Sequence, residues 1–229
     1  MTLIQDDLKN LNILNYSRTF RDIKKVIDIS PTLPFSEESI DYLGQLSKEI
    51  NKLKNIKDYP DIATFAFFCR KANLKILKNK FFNENKVKIG RGIIFHIAPS
   101  NVPLNFAFSL VTGILSGNSN IVKVPSKKFN QIDIISNAMN KIADDSKHKN
   151  ISSRNFLIRY DRGSNATKYF SSICDVRIIW GGDETIKQVR KFQLQPRSFD
   201  ISFPDRYSMC IINADDYVNE LNTEKIAKG

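Results

Sequence analysis

The stretch FHIAPSNVPLNFAFSLVTGILSGNSNIVKVPSKK, Phe95–Lys128, decides how the rest of the chain is read. It opens on apolar residues of strand length and turns through Pro99-Ser100-Asn101-Val102-Pro103. Leu104 to Leu115 is then apolar nearly all round, the mark of a buried helix. Val102-Pro103 suits the first turn of that helix and Gly117-Asn118 suits its end. Asn120 to Val124 reads as a second strand, with Pro125, Ser126, Lys127 and Lys128 behind it. Strand, buried helix, strand is the repeating unit of a parallel sheet.

The same alternation continues downstream. Gly92 to Ile97 is the first strand, and Ile132, Ile135, Met139 and Ile142 mark an amphipathic helix. Phe156-Leu157-Ile158 is a third strand and Ala166 to Ile173 a short helix. Val176 to Trp180 is a fourth strand, followed by a helix over Asp183 to Phe192. Right-handed crossovers place the loops after each strand on one edge of the sheet, where ligands bind. Pro99-Ser100-Asn101, Lys123 to Ser126 and Gly181-Gly182-Asp183 are therefore expected to converge. Residues 1 to 85 read differently, as a lysine-rich, mainly helical segment. One helix starts at Ser36-Glu37-Glu38 and runs through Ile50, and another spans Asp61 to Leu77.

With 229 residues, 41% of them hydrophobic, the chain is long enough to bury a substantial core. No apolar run has the length of a membrane span, and MTLIQDDLKNLN is not a signal peptide, so a cytoplasmic protein is expected. The net charge of +11 favours anionic ligands. Its lysines are scattered rather than blocked, and no nucleic-acid reader motif is present, so no specific nucleic-acid partner is expected. Cys69, Cys174 and Cys210 form no metal or disulfide spacing and read as small buried hydrophobes.

Several loop residues carry chemical potential. Gly181-Gly182 lies between a strand and a helix start, where bare backbone N–H groups can receive a phosphate. A tight turn that needs glycine is the competing reading. Lys123 ends a strand within reach of a ribose or phosphate, and Ser126 adds a hydroxyl. Asn101 suits either an oxyanion donor or a helix cap. His96 reads as structural and His148 as part of a polar loop. Gly90-Arg91-Gly92 lacks the third glycine of a dinucleotide fingerprint and reads as a turn. No metal cluster and no Ser/His/Asp triad is visible.

Taken jointly, PSNVP, an apolar helix and GNSNIVKVPS resemble the aldehyde dehydrogenase superfamily, and most of all its acyl-CoA reductase branch. That branch includes the long-chain fatty acyl-CoA reductase of bacterial bioluminescence. DVRIIWGGDETI is similar to the branch's next cofactor segment, and RYSMCIINADD to the strand and acidic turn after it. The resemblance runs from about Lys86 to the C-terminus. It implies an aldehyde-dehydrogenase-like α/β fold, a doubly wound and mainly parallel sheet behind an N-terminal helical segment. Residues 1–85 would form that segment, and 86–229 a Rossmann-like dinucleotide-binding domain with the catalytic domain missing.

The implied reaction reduces a fatty acyl-CoA to its aldehyde through a cysteine thioester, with NADP(H) as cofactor. Asn101 would line the oxyanion hole. Pro99, Ser100, Gly181 and Gly182 would face the cofactor, and Lys123 and Ser126 would bind the adenosine ribose or its phosphate. Ser202 stands where hydrolytic relatives carry a glutamate base, with Asp200 nearby. The family's nucleophilic cysteine falls downstream of this segment, and Cys210, expected mid-strand, precedes its place. The chain is thus expected to be the cofactor-binding portion of such a reductase. Implied partners are the acyl-CoA substrate and an acyl-protein synthetase or a second copy of the chain. The alternative is a non-catalytic nucleotide-binding or interaction protein that keeps the fold.

Overall fold

The computed structural model describes residues 11–81, 86–161, 163–206 and 209–211. A two-residue strand, β1 (Leu14–Asn15), precedes a 3₁₀ helix over Arg18–Asp28. Helix α1 (Glu37–Asn51) begins at Ser36, whose side chain accepts from the Ser39 N–H, while Glu37 and Glu38 sit in the first turn against the positive end of the helix. The helix expected over Asp61 to Leu77 is instead two, α2 (Pro60–Phe68) and α3 (Lys71–Phe81). The side chain of Asn73 donates to the Phe68 carbonyl at 2.7 Å, taking the acceptor that a continuous helix would offer to Ala72. The change of direction leaves Ile76 exposed and Leu74 buried.

The rest of the chain alternates as expected: β2 (Ile93–Ile97), α4 (Asn105–Leu115), β3 (Ser119–Lys123), α5 (Asn130–Ala143), α6 (Lys149–Ser152), β4 (Asn155–Arg159), α7 (Ala166–Ile173), β5 (Val176–Trp180), α8 (Asp183–Arg190) and β6 (Phe199–Phe203). The six strands form one sheet in the order β1-β4-β3-β2-β5-β6. All neighbours are parallel except β1, which pairs antiparallel with β4. Setting β1 aside, the order matches five strands of a doubly wound Rossmann-like sheet, and its direction of winding reverses between β2 and β5. Both edge strands, β1 and β6, escape the sequence reading. Gly117 follows α4 with φ of +78°, the left-handed position that a helix C-terminus assigns to glycine.

Side chains alternate across the sheet. Val122 and Leu157 join Leu43, Leu46, Leu110 and Ile135 in a core between the sheet and α1, α4 and α5. Ile93, Phe95, Ile121, Phe156 and Ile179 face the other way, onto Phe170 of α7 and Ile186 of α8. Each such fully buried aliphatic side chain contributes about 1.5–3 kcal/mol. Helix α4 meets β5 through Ser109 and Trp180 but leaves β6 uncovered. Phe199, Ile201 and Phe203 of β6 are exposed at 43%, 39% and 41%, leaving an apolar face beside α4 uncovered among the described residues. Among those residues no helix is long and apolar enough to cross a membrane.

Candidate functional site

The winding reversal puts the chain after β2 and the chain after β5 side by side at the carboxyl ends of the strands. Between them is a cavity of about 370 Å³, walled by Pro99, Asn101, Gly181, Ser202, Asp205 and Arg206 among others. Asn101 is not the helix cap. Helix α4 starts at Asn105, its cap position is Leu104, and no side chain caps it. Val102 and Pro103 likewise lie ahead of the first turn rather than in it. Asn101 stands in the preceding bend, exposed, with its amide uncommitted to the helix. Ser100 is exposed and lies outside the wall of this cavity.

Gly181 is part of the wall, and a Cβ there would meet the Thr185 side chain at 3.2 Å. Gly182 is the cap residue of α8, whose first turn carries Asp183 and Glu184. Those carboxylates already complement the helix end, so this N-terminus is a poor phosphate site. Lys123 is on the neighbouring strand. It pairs in register with Ile97, and its Nζ lies 5.3 Å from the centre of the Tyr160 ring. Ser126 is exposed on the loop beyond, where Lys127 and Lys128 are also exposed. The positive charge thus gathers at the β3–β4 corner rather than at the glycines.

On β6, Asp200 and Ser202 take different parts. Asp200 accepts from Arg177 Nε at 2.7 Å and Nη2 at 3.1 Å, and Arg190 Nε is 3.5 Å away. It is held on the α8 side and does not border the cavity. Ser202 does border it, and its hydroxyl accepts from Arg190 Nη2 at 3.3 Å. Asp205 and Arg206, at the cavity mouth, escape the sequence reading. The alternation FDISF ahead of Pro204 is the signal that would have found the strand delivering them.

Trp180 and Phe203 stack at 3.9 Å with an interplanar angle of 10°, dividing this cavity from an apolar groove of about 520 Å³ between α4 and β5–β6. The indole is oriented from beneath. Trp180 Nε1 donates to Ser109 Oγ at 3.3 Å, and Ser109 Oγ lies 2.8 Å from His96 Nδ1. His96 Nε2 is 3.0 Å from Asn120 Oδ1, and Asn120 Nδ2 donates to Asn155 Oδ1 at 2.7 Å. The carbonyl oxygen of Asn120 requires the proton on Nε2, so Nδ1 accepts from Ser109 and every member is satisfied. His96 is therefore structural, as its strand position suggests. Burial pulls its pKa from 6.5 down to about 4, against the Asn120 bond that raises it. A histidine kept neutral in the fold favours the native state above its ordinary pKa. That contribution, about 3 kcal/mol, is lost as pH falls from 6.5 toward 4. Urea midpoints at pH 7, 5.5 and 4.5 should drop accordingly, and His96→Phe should flatten that window. Asp41, held at about 2 mainly by its hydrogen bond from Lys71, fails only at lower pH.

Of the three cysteines, Cys69 and Cys174 are buried as expected; burial raises the thiol of each, that of Cys174 to about 12. Cys210 is exposed and in irregular chain, which corrects the expectation of a buried strand residue. RYSMCIINADD otherwise lies mostly outside the described residues. His148 is also a correction: it is buried with its ring edge-on to Tyr42, not in a polar loop. No cysteine lines either cavity, and no metal-binding group of His, Cys and carboxylates exists among the described residues.

A parallel sheet wound in this order, behind an N-terminal helical region, is an aldehyde-dehydrogenase-like α/β fold. Solved structures agree on the fold. A proline utilization A from Corynebacterium freiburgense is 13% identical with a TM-score of 0.62, covering 81% of this chain and 20% of that one. A lactaldehyde dehydrogenase is 12% identical with a TM-score of 0.59, covering 80% and 44%. Within that class, the model of the family "Acyl-CoA reductase (LuxC)" matches residues 48–228, and the chain belongs to this family. A long-chain acyl-protein thioester reductase from Aliivibrio fischeri is 31% identical over 126 residues, 54% of this chain and 26% of that protein. The match thus spans about a quarter of that relative's length.

Proposed function

We propose that the chain forms the cofactor-binding part of an NADPH-dependent reductase that converts a fatty acyl thioester to its aldehyde by way of an enzyme cysteine thioester. The observation that carries this is Asn101, whose amide borders the cavity at the winding reversal and is not spent on capping α4. Its side chain N–H would donate to the oxygen of the thioester as negative charge develops there. Ser202 borders the same cavity where hydrolytic relatives carry a glutamate, and a serine does not draw a proton from water at neutral pH. The β6 carboxylate that would replace it, Asp200, is held by Arg177.

The residues present fit a dinucleotide. Gly181 leaves the wall bare where a Cβ would crowd Thr185. Strands spaced by about 4.8 Å make the edge from β4 to β6 roughly 19 Å wide, enough for an extended dinucleotide. NADPH, when bound, would supply the hydride. Lys123 and Ser126 would hold the adenosine ribose and its phosphate, with Lys127 and Lys128 adding charge, while Pro99, Ser100 and Gly182 flank the path. The substrate would be an acyl-CoA or an acyl-protein thioester such as the one named for the Aliivibrio relative, and the family resemblance implies an acyl-protein synthetase or a second copy of the chain as partner.

NADPH should bind more tightly than NADH. Ser126 presents no carboxylate to repel a 2′-phosphate, and each charge-assisted contact contributes about 1.5–3 kcal/mol. Calorimetric titration with both cofactors tests this, and equal affinities would refute it. Lys123→Ala should weaken both if the ammonium holds the ribose, and mainly NADPH if it reaches the phosphate.

The chain by itself should bind NADPH without consuming it. Its buried thiols are neutral and Cys210 lines neither cavity. Fused to the remaining length of its relative, it should release coenzyme A and consume NADPH from acyl-CoA. Activity of the chain alone that disappears in Cys210→Ala would show the nucleophile to be here. Cofactor binding with no turnover even in the fusion would favour the non-catalytic reading.

A further inference from the structure

Arg159, the last residue of β4, stands at the corner where the positive charge gathers, and the sequence reading gives it no role. Its Nε donates to the Pro125 carbonyl at 3.1 Å and its Nη2 to the Lys127 carbonyl at 3.3 Å. The guanidinium thereby straddles the loop on both sides of Ser126. Both acceptors are neutral, so its charge is not compensated, and no carboxylate pairs with it among the described residues. Two of its five N–H donors are used, and the rest remain at the corner shared with Lys123, Lys127 and Lys128.

The N-terminal segment fixes this side chain. The Tyr16 ring lies 5.3 Å from Arg159 Cζ, a cation–π contact that favours one placement of the guanidinium. Tyr16 is itself pinned, with its N–H donating to the Leu157 carbonyl at 3.0 Å and its carbonyl accepting from Asn140 Nδ2 at 2.8 Å. Leu14 pairs in register with Arg159, so β1 holds the backbone as well. A planar, oriented fork of N–H donors beside a serine and two lysines is the chemistry that recognises a phosphomonoester.

We infer that Arg159 binds the 2′-phosphate of NADPH and sets the choice between NADPH and NADH, with Tyr16 as the residue that positions it. This rests on the reading above that the β3–β4 corner holds the adenosine end of the cofactor. It gives residues 14–16, at the start of the helical segment, a part in cofactor choice.

The probes are 2′,5′-ADP and 5′-AMP, which differ only in the phosphate at issue, titrated calorimetrically into the chain alongside NADPH and NADH. The wild type should prefer 2′,5′-ADP by about tenfold or more. Arg159→Gln should bring that ratio near one while leaving 5′-AMP affinity within about twofold. Arg159→Lys, which keeps the charge and loses the fork, should retain part of the ratio, and Tyr16→Leu should reduce it without abolishing it. Thermal melts confirm that each variant is folded, and if Arg159→Gln is not, Arg159→Lys carries the comparison. Equal weakening of both probes by the arginine variants would show that Arg159 only shapes the loop, and an unchanged ratio would assign the phosphate to the lysines; either overturns the inference. If the wild type binds NADH and NADPH equally, the cofactor site stands and this inference falls. If it binds no nucleotide at all, the cofactor reading itself falls and this with it.

Discussion

Asn101→Ala should lower turnover by roughly 10²–10³ in an enzyme joining this chain to the remaining length of its relative, while NADPH affinity and unfolding midpoint stay unchanged. The size is that of one lost oxyanion donor. The pattern separates it from other roles. A capping asparagine would cost about 1 kcal/mol of stability on replacement. The cap position of α4 is Leu104, three residues on, so no such loss is expected. Steady-state kinetics with a fixed acyl thioester, beside a urea titration, decide the matter. A destabilised variant with near-normal turnover would remove Asn101 from the chemistry.

Asp200→Ala should cost about 3–5 kcal/mol of folding stability, the size expected when a buried charge loses its partner. Arg177 has a side chain only 1% exposed. Its Nη1 donates to Ser171 Oγ at 2.8 Å and to the Phe192 carbonyl at 3.0 Å, and its remaining bonds go to Asp200. Neither Ser171 nor Phe192 brings a countercharge. Asp200→Asn keeps an acceptor and should cost less. Replacing both partners, Arg177→Met with Asp200→Leu, should be close to neutral, since no charge is then stranded. Urea unfolding measures all three. A loss below about 1 kcal/mol in Asp200→Ala would place the pair with exposed ion pairs. A large loss would also strengthen the case that Asp200 is a structural carboxylate and not a base held ready for water.

The parts of the fold legible in the sequence are those where one physical signal acts alone. The buried strands read from their apolar runs, and α7 and β5 fall where the spacing predicts. Gly117 at φ +78° marks the end of α4 as a glycine should. What stays hidden depends on distant partners. β1 is two residues long and exists only because β4 offers it an edge. β6 alternates polar and apolar residues, but its apolar side faces open surface, so it reads as loop. The break between α2 and α3 rests on one side-chain bond from Asn73. At the cavity wall, Asn101 and Gly181 are legible as loop residues because a turn punctuates each. Arg159, Asp205 and Tyr16 are not, since each acquires its place only when loops remote in sequence meet at one edge of the sheet.

The pairing of Leu14 with Arg159 also sets an order of events. The two residues are about 145 positions apart, and closing so long a loop is slow relative to the local contacts of α1 or α4. During synthesis at about 5–20 residues per second, β1 waits roughly 7–30 s for its partner strand to be made. In that interval the strand α4 follows, and the helices around it, assemble without their N-terminal edge. On refolding, the corner that Arg159 and Tyr16 share closes the longest loop between any two paired strands, so a ligand that grips it reports on that closure. Refolding followed by tryptophan emission from Trp180 and by nucleotide binding should then show two phases, the second slower.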